Sequence, residues 1–330
     1  MRIAVLYSLP TKRAIASPYK STDEDTKDSA EEVAAAILGK GGQSFLVPVH
    51  EDGIDAISSI KADCIFNLIE WDGFDLPLAR MVYTRLEAAH IPFTGSRIGV
   101  FDRTSDKVGM KHAMDKAGIP TPRWQVFETG KESVRPDFHY PVIVKLALEH
   151  CSIGLTKDAV VRDSLALVPV VQERIRVFGQ PVIVEEYIGG REFQVTLLSR
   201  KDGWAVLPAS EIMFDHQGKE DAFLTFNSRW NEEHAEYSLS HVKLALLAPA
   251  FSVNLDRIAW ACMRTFEFCD YARLDIRSRG EDIFVLEANA NPGLGDSDEY
   301  GMTVSYKAVG LSFADFIWEI VASSLRRFMA

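Results

Sequence analysis

No apolar run in the 330 residues approaches the ~20 that a membrane-spanning helix needs, so no membrane partner is expected. Cysteine is scarce as well. The 4 cysteines, Cys64, Cys151, Cys262 and Cys269, contain no CxxC pair. That excludes a disulfide scaffold and fits free thiols in a reducing, cytoplasmic setting. Basic charge is short: 36 Lys and Arg stand against 47 Asp and Glu, for a net charge of −11. A nucleic-acid partner, which would require a basic stripe, is therefore not expected. A small anionic ligand is still compatible, because local cations override the global sign. The opening MRIAVLYSLP is too short and polar-flanked for a signal peptide and reads as a first strand. Glycine is missing from LPTKRAIASPYKSTDEDTKD (9–28), where an α/β fold places a ligand loop after its first strand. A G-x-G-x-x-G phosphate cradle is excluded there, leaving a different ligand loop or a solvated one.

What is present is ordinary globular composition, 47% hydrophobic and 25% charged, in a chain long enough for two or three domains. The first third alternates strand and helix. Strands are expected at 3–7, 45–49, 64–68 and 91–94, and helices at 29–38 and 76–89. Such alternation implies a parallel sheet covered on both faces. A second unit opens with a helix in SDKVGMKHAMDKAGIP, with Ser105 as its cap and Gly118 and Pro120 as its stop. Strands follow at 124–127, 141–147 and 181–187, with a helix-like segment after Asp163. A third unit has antiparallel strands at 193–198 and 205–209. Next come a polar loop at 214–237, a helical region at 241–266 with Pro249 near its middle, and a final helix at 313–327.

The richest chemistry lies in CDYARLDIRSRGEDIFVLEANANPGLG (269–295), a hairpin of two apolar strands. Residues two apart in a strand share a face, so Arg273 and Asp275 point one way, and Glu287 and Asn289 share a face on the second strand. Hard oxygen donors at buried strand ends suit Mg²⁺, which takes one or two carboxylates plus phosphate oxygens. A salt-bridge network is the alternative. Upstream, Lys145 ends the apolar strand PVIVK, and Lys107 sits in the first turn of its helix. Together they are candidates to bracket polyphosphate; singly each reads as a solvated lysine. In VIVEEYIGGREF, Glu185, the backbone at Tyr187 and Ile188, and Glu192 form an acid–turn–acid hinge that can hold a nucleoside, or a plain charged hairpin. In FLTFNSRW, Arg229 can bind phosphate and Trp230 can cover a site. Cys151 as a nucleophile needs a base, and the adjacent His150 ordinarily points elsewhere.

These segments in this order resemble the D-alanine–D-alanine ligase branch of the ATP-grasp superfamily. The resemblance rests on IPFTGS (91–96), the SDK at 105–107, AGIPTP, PVIVK, VEEYIGGREF, ARLD and LEANANPG. It implies an α/β fold, α+β in part, of three lobes: a parallel α/β domain (1–103), a small central lobe (104–183) and a C-terminal antiparallel-sheet lobe (184–330). It implies an ATP-dependent carboxylate–amine ligase acting through an acyl phosphate. The cofactors would be ATP and two Mg²⁺ ions, with Mn²⁺ as a substitute. Small carboxylate and amine substrates, amino acids among them, would be its partners, in a homodimer. Lys107, Lys145 and Arg229 match the phosphate cations, and Glu185, Tyr187 and Ile188 the adenine clamp. Glu192 matches the ribose acid. Asp275, Glu287 and Asn289 match the metal ligands, and Arg273 the cation of the tetrahedral intermediate. The segment 150–154 matches the closing lid.

The departures cluster in the amino-acid half. The family's N-terminal Gly-rich loop is absent. The lid reads Glu149-His150-Cys151-Ser152 in place of Glu-Gly-Ser-Ser, which places Cys151 and Ser152 in the catalytic set. Glu70-Trp71 replaces His-Gly after the third strand, and Trp230 replaces a lid-closing Tyr. Glu70, Trp230 and Gly293 are thus substrate candidates. Longer spacing after Pro292 leaves Ser297, Asp298 and Tyr300 as candidates for the second substrate. Asp298 there favours a cationic or polar amine. A D-alanine–D-alanine ligase with a divergent pocket, a nucleotide-binding module and an acyl-phosphate-forming kinase are the competing readings.

Overall fold

The fold begins with a strand buried along its length after Arg2, β1 (Arg2–Ser8). This is a computed structural model that describes residues 1–19, 21–71, 73–215 and 222–329. A strand apolar on both faces needs cover on both. The elements around it are α1 (Lys12–Ile15), α2 (Ser21–Gly39), β2 (Gln43–Val49), β3 (Cys64–Leu68), α3 (Leu76–Ala88) and α4 (Ile98–Ser105), of which α2 packs on the face of Ile3 and Val5 and α3 on the face of Ala4 and Leu6. β2 and β3 flank β1 in parallel, in the order β2-β1-β3. The strand expected at 91–94 shrinks to a single parallel bridge, Ile65 to Phe93. Pro92 has no N–H with which to extend a ladder. The stretch 9–28 is not a loop throughout. Thr11 caps α1, and α2 starts at Ser21 because nothing from there to Leu38 is Gly or Pro.

The second sheet is built from β4 (Trp124–Phe127), β5 (Val142–Leu146), β6 (Val160–Val161) and β7 (Val182–Glu186), in the antiparallel order β4-β7-β5-β6. It follows α5 (Lys107–Ala117), and α6 (Ser164–Phe178) covers it from within the chain order. The cap of α5 is Asp106, whose Oδ1 accepts from the Val108 N–H at 2.9 Å. Ser105 instead closes α4, donating to the Phe101 carbonyl at 2.8 Å. β7 runs through residue 183, so the change of sheet falls after Glu186. α5 packs Met110 and Met114 into the core of the third sheet rather than the second.

That third sheet holds β8 (Arg191–Arg200), β9 (Gly203–Val206), β10 (Ser210–Phe214), β11 (Ser240–Leu244), β12 (Tyr271–Arg279) and β13 (Asp282–Asn289). The order is β11-β10-β8-β12-β13, with β9 on β8. The helices are α7 (Phe226–Trp230), α8 (Pro249–Phe266), α9 (Gly301–Ala308) and α10 (Phe313–Met329). The helical region expected from 241 is therefore split. Ser240–Leu244 pairs with β10, and Pro249 stands at the start of α8, where its missing N–H costs nothing. Of the polar loop at 214–237, residues 216–221 lie outside the described residues, and residues 226–230 form α7. α10 returns to the first sheet: Phe316, Ile317 and Ile320 share one core with Ile3, Val5, Val33 and Ile37. Among the described residues no single helix is long and apolar enough to cross a membrane.

Candidate active site

The hairpin of β12 and β13 forms the floor. Its register places Arg273 opposite Asn289 and Asp275 opposite Glu287, with a bulge after Asp275. Same-face spacing lets Arg273 fork onto its neighbour: Nε to Asp275 Oδ1 is 2.8 Å and Nη2 to Oδ2 is 3.0 Å. Asn289 Nδ2 donates to the same Oδ2 at 3.0 Å. Part of the alternative network thus exists, but it runs along β12 as well as across the hairpin.

The facing wall comes from α5, β5 and β7. Lys107 Nζ lies 2.8 Å from Glu287 Oε1 and also donates to the Glu149 carbonyl. His150 Nδ1 meets the same Glu287 oxygen at 3.1 Å, while its Nε2 lies 3.3 Å from the Ser105 carbonyl. Burial alone would raise the Glu287 carboxyl; Lys107 and His150 reverse that and hold it well below the usual carboxylate range. Glu185 is 1% exposed and shared by two lysines, Lys111 at 2.8 Å and Lys145 at 2.7 Å. Burial opposes its charge as well, yet the two ammonium groups bring its carboxyl down to about 2. The Lys111 ammonium is lowered as well, by its own burial, and is only partly restored by Glu185. Both Glu185 oxygens are thus engaged. The residue anchors two lysines at the wall of the cleft.

Lys111 was not among the sequence candidates. It lies one helical turn beyond Lys107, and that i, i+4 spacing was the available signal. Arg277 was missed in the same way, although it continues the face of Arg273 and Asp275. Its Nε and Nη2 meet Glu192 Oε2 at 2.8 and 2.6 Å, and Nη1 donates to the Ile188 carbonyl at 2.9 Å. The Tyr187 hydroxyl donates to the Ala222 carbonyl at 2.8 Å, and Arg277 reaches that carbonyl too. Glu192 is therefore held in place by Arg277.

The lid is folded against the 222–230 segment. Cys151 and Ser152 have φ of 54° and 60°, left-handed values that turn the chain sharply. Ser152 Oγ donates to the Leu224 carbonyl at 3.1 Å, and Trp230 Nε1 to the Cys151 carbonyl at 2.9 Å. The Arg229 guanidinium stands 5.6 Å from the Trp230 ring centroid. His150 has one ring nitrogen on Glu287 and the other at a carbonyl, so neither serves Cys151 as a base.

These walls enclose a cleft of about 280 Å³. All the sequence candidates line it except two, and Glu70, Gly293 and Tyr300 line its remaining side. Ser297 and Asp298 lie outside that lining. The Ser297 hydroxyl accepts from the Glu299 N–H at 3.2 Å, and exposed Asp298 pairs with Lys307 at 2.9 Å. With its charge spent there, Asp298 gives no support for a cationic amine.

Comparison with known proteins places this fold. The crystal structure of the D-alanine–D-alanine ligase from Bacillus anthracis complexed with ATP superposes with a TM-score of 0.75, at 20% identity, over 100% of this chain and 99% of that one. The fold is that of the ATP-grasp ligases. Residues 113–322 match the family model described as the D-ala D-ala ligase C-terminus. A Sinorhizobium fredii protein designated uncharacterized protein y4sG is 33% identical over 249 residues, 74% of this chain and 69% of the relative. A D-alanine–D-alanine ligase of Marinobacter nauticus is 27% identical over 310 residues, 90% of this chain and 89% of that one. The chain belongs to the D-alanine–D-alanine ligase family.

Proposed function

We infer that this protein is an ATP-dependent carboxylate–amine ligase that forms an amide bond through an acyl phosphate, releasing ADP and phosphate. One observation carries the reading. The strand ends bearing Arg273, Asp275, Glu287 and Asn289 share a cleft with Lys107 and Lys145. Phosphoryl transfer asks for positioning and charge neutralisation, which this array offers. Lys107, Lys145 and Arg229 would meet polyphosphate, and Glu185 would hold Lys111 and Lys145 in register. Tyr187, Ile188 and Glu192 would border the nucleoside. Arg273 would neutralise the oxyanion as the amine attacks. The lid, tied to Trp230, would keep water from the acyl phosphate.

The donor set fits Mg²⁺. Asp275 and Glu287 pair across the hairpin and Asn289 adds an amide oxygen. Among the described residues no three His, Cys, Asp or Glu form a complete metal cage. Mg²⁺ would draw the rest of its shell from phosphates and water. Arg273, Lys107 and His150 now neutralise those acids, so they would give way to the ion or share the oxygens with it. When bound, the ion would shield the charge of the transferring phosphoryl group. Three lobes, amino-acid substrates and a homodimer complete the proposal. Four free thiols agree with a cytoplasmic setting.

The test is phosphate release with ATP and Mg²⁺ across pools of D- and L-amino acids, followed by product mass. Release that requires amino acids, with a product weighing two substrates less one water, is expected. ADP formed with one carboxylate and indifferent to amines would replace the ligase with a kinase.

A further inference from the structure

Arg277 is 3% exposed and stands on β12 opposite Glu192 of β8. An arginine keeps its charge when buried, so its N–H groups need partners. Nε and Nη2 meet Glu192 Oε2 at 2.8 and 2.6 Å, Nη1 donates to the Ile188 carbonyl at 2.9 Å, and Nη2 also reaches the Ala222 carbonyl. The fork is thus locked by a carboxylate on one side and holds a hinge carbonyl on the other. The hinge is engaged elsewhere too. Glu186 N–H donates to the Arg123 carbonyl at 2.8 Å, and Tyr187 N–H to the Pro141 carbonyl at 2.9 Å. These bonds run to opposite edges of β7, one beside β4 and one beside β5, because successive residues of a strand alternate. By that alternation the Glu186 carbonyl and the Ile188 N–H share an edge, and both residues line the cleft. Among the described residues no protein group takes the Ile188 N–H. The hinge therefore presents an acceptor and then a donor, while the following acceptor, the Ile188 carbonyl, is held by Arg277.

Resting on the ligase reading, we propose that Arg277 selects the base of the nucleotide, rejecting guanine by keeping the Ile188 carbonyl from it. Adenine carries an amino donor beside a ring-nitrogen acceptor, which the Glu186 carbonyl and the Ile188 N–H complement. Guanine carries a carbonyl acceptor beside a ring N–H donor, the reverse order. To read guanine, the hinge would shift by one group: the Ile188 N–H would meet the guanine oxygen and the Ile188 carbonyl its ring N–H. Arg277 already occupies that carbonyl, so the guanine N–H would be buried without a partner. The fork does not swing aside to free the carbonyl, because two of its nitrogens are tied to Glu192. Arg277 acts through Ile188 and Glu192 and is a positioning residue. An apolar residue here would leave the carbonyl open to either purine.

The experiment measures phosphate release with ATP, GTP and ITP. The intact enzyme is expected to favour ATP over GTP by on the order of 100-fold in kcat/KM, the cost of one unpaired buried donor. ITP has the carbonyl and ring N–H of guanine without its 2-amino group, and it should be rejected as GTP is. ITP used as well as ATP overturns the proposal, since the 2-amino group would then be what is refused. Arg277→Lys keeps a cation for Glu192 but loses the fork that spans Glu192 and Ile188. Its preference for ATP should fall to within about tenfold, chiefly through a lower KM for GTP and ITP. A merely structural role would weaken all three nucleotides together, and an unchanged ratio in Arg277→Lys overturns the proposal. Calorimetric binding of non-hydrolysable ATP and GTP analogues with Mg²⁺ reads base choice without turnover. An adenine preference in binding that Arg277→Lys relaxes, with no phosphate release on any amino acid, keeps the base selection and removes the ligase. Equal binding of the two analogues by the intact protein overturns the base selection.

Discussion

The two halves of the cleft are built on different principles. The proposed nucleotide half is carried by regular elements: α5, β5, β7, β12 and β13 supply Lys107, Lys145, Glu185, Asp275 and Glu287. Its charges are cross-linked, Glu185 to two lysines, Glu287 to Lys107 and His150, and Glu192 to Arg277. The other half is carried by turns: Glu70 and Trp71 after β3, Gly293 and Tyr300 after β13, and Cys151 in the lid. A buried ion pair fixes a strand, because loss of either partner strands a charge. A turn can change its residues without disturbing a sheet. On the proposed function, reaction type and substrate choice would thereby be separated in the scaffold; of the departures from the family, Glu70-Trp71, Cys151 and the segment after Pro292 fall on turns, whereas Trp230 lies on α7 and much of 9–28 is helical.

The largest effect is expected where the strand-borne half meets the reaction. Glu287→Gln removes a candidate metal ligand and leaves Lys107 and His150 facing a neutral amide. Turnover should fall by on the order of 10³-fold, comparable with loss of a key electrostatic contact, while ATP still binds weakly. Steady-state phosphate release and nucleotide binding measure the two parts. Normal turnover would remove Glu287 from the chemistry and make both halves of the cleft equally replaceable.

Glu185→Gln probes the same half through stability. Two buried or half-buried ammonium groups would lose their shared counter-ion, a cost of about 3–5 kcal/mol in urea unfolding. The contribution has a direction in pH. Pairing sets the Glu185 carboxyl at about 2, below its ordinary 4.5. Its stabilisation is complete above the ordinary value and is lost as the pH falls towards about 2. The stability gap between the intact protein and the variant should therefore narrow on acidification from neutral pH. A gap that widens would contradict the assigned pairing.

The same contrast governs what the sequence disclosed. Arg273, Asp275, Glu287 and Asn289 were legible because strand alternation is a local rule and a turn fixes the register of the hairpin. Gly118 and Pro120 marked the end of α5 for similar local reasons. β11 was not legible, because Ser240–Leu244 is a strand only through its pairing with β10 across the intervening loop. Lys111 lies one turn beyond Lys107 on α5, and only the approach of β7 gives it Glu185. The separation of Ser297 and Asp298 from the cleft also depends on tertiary contact, since Lys307 on α9 draws Asp298 away. Strand-borne chemistry is written in local spacing, whereas loop-borne chemistry waits for the fold.

The smallest effect should come from the lid, at the border of the two halves. Cys151 lines the cleft, but its backbone carbonyl, not its thiol, accepts from Trp230 Nε1. That bond survives a change of side chain. Ser is close to Cys in size and has the same backbone freedom, so the turn at φ 54° is no more strained in the variant. Neither nitrogen of His150 is available to activate a thiol. Cys151→Ser should accordingly keep turnover within about threefold, a difference of less than 1 kcal/mol in the barrier. Thiol-directed alkylation of the unmodified protein should still inhibit, through bulk at the mouth of the cleft, and the variant should resist it. Complete loss of phosphate release in Cys151→Ser would instead make the thiol a participant in the reaction, and the lid would then belong with the strand-borne half.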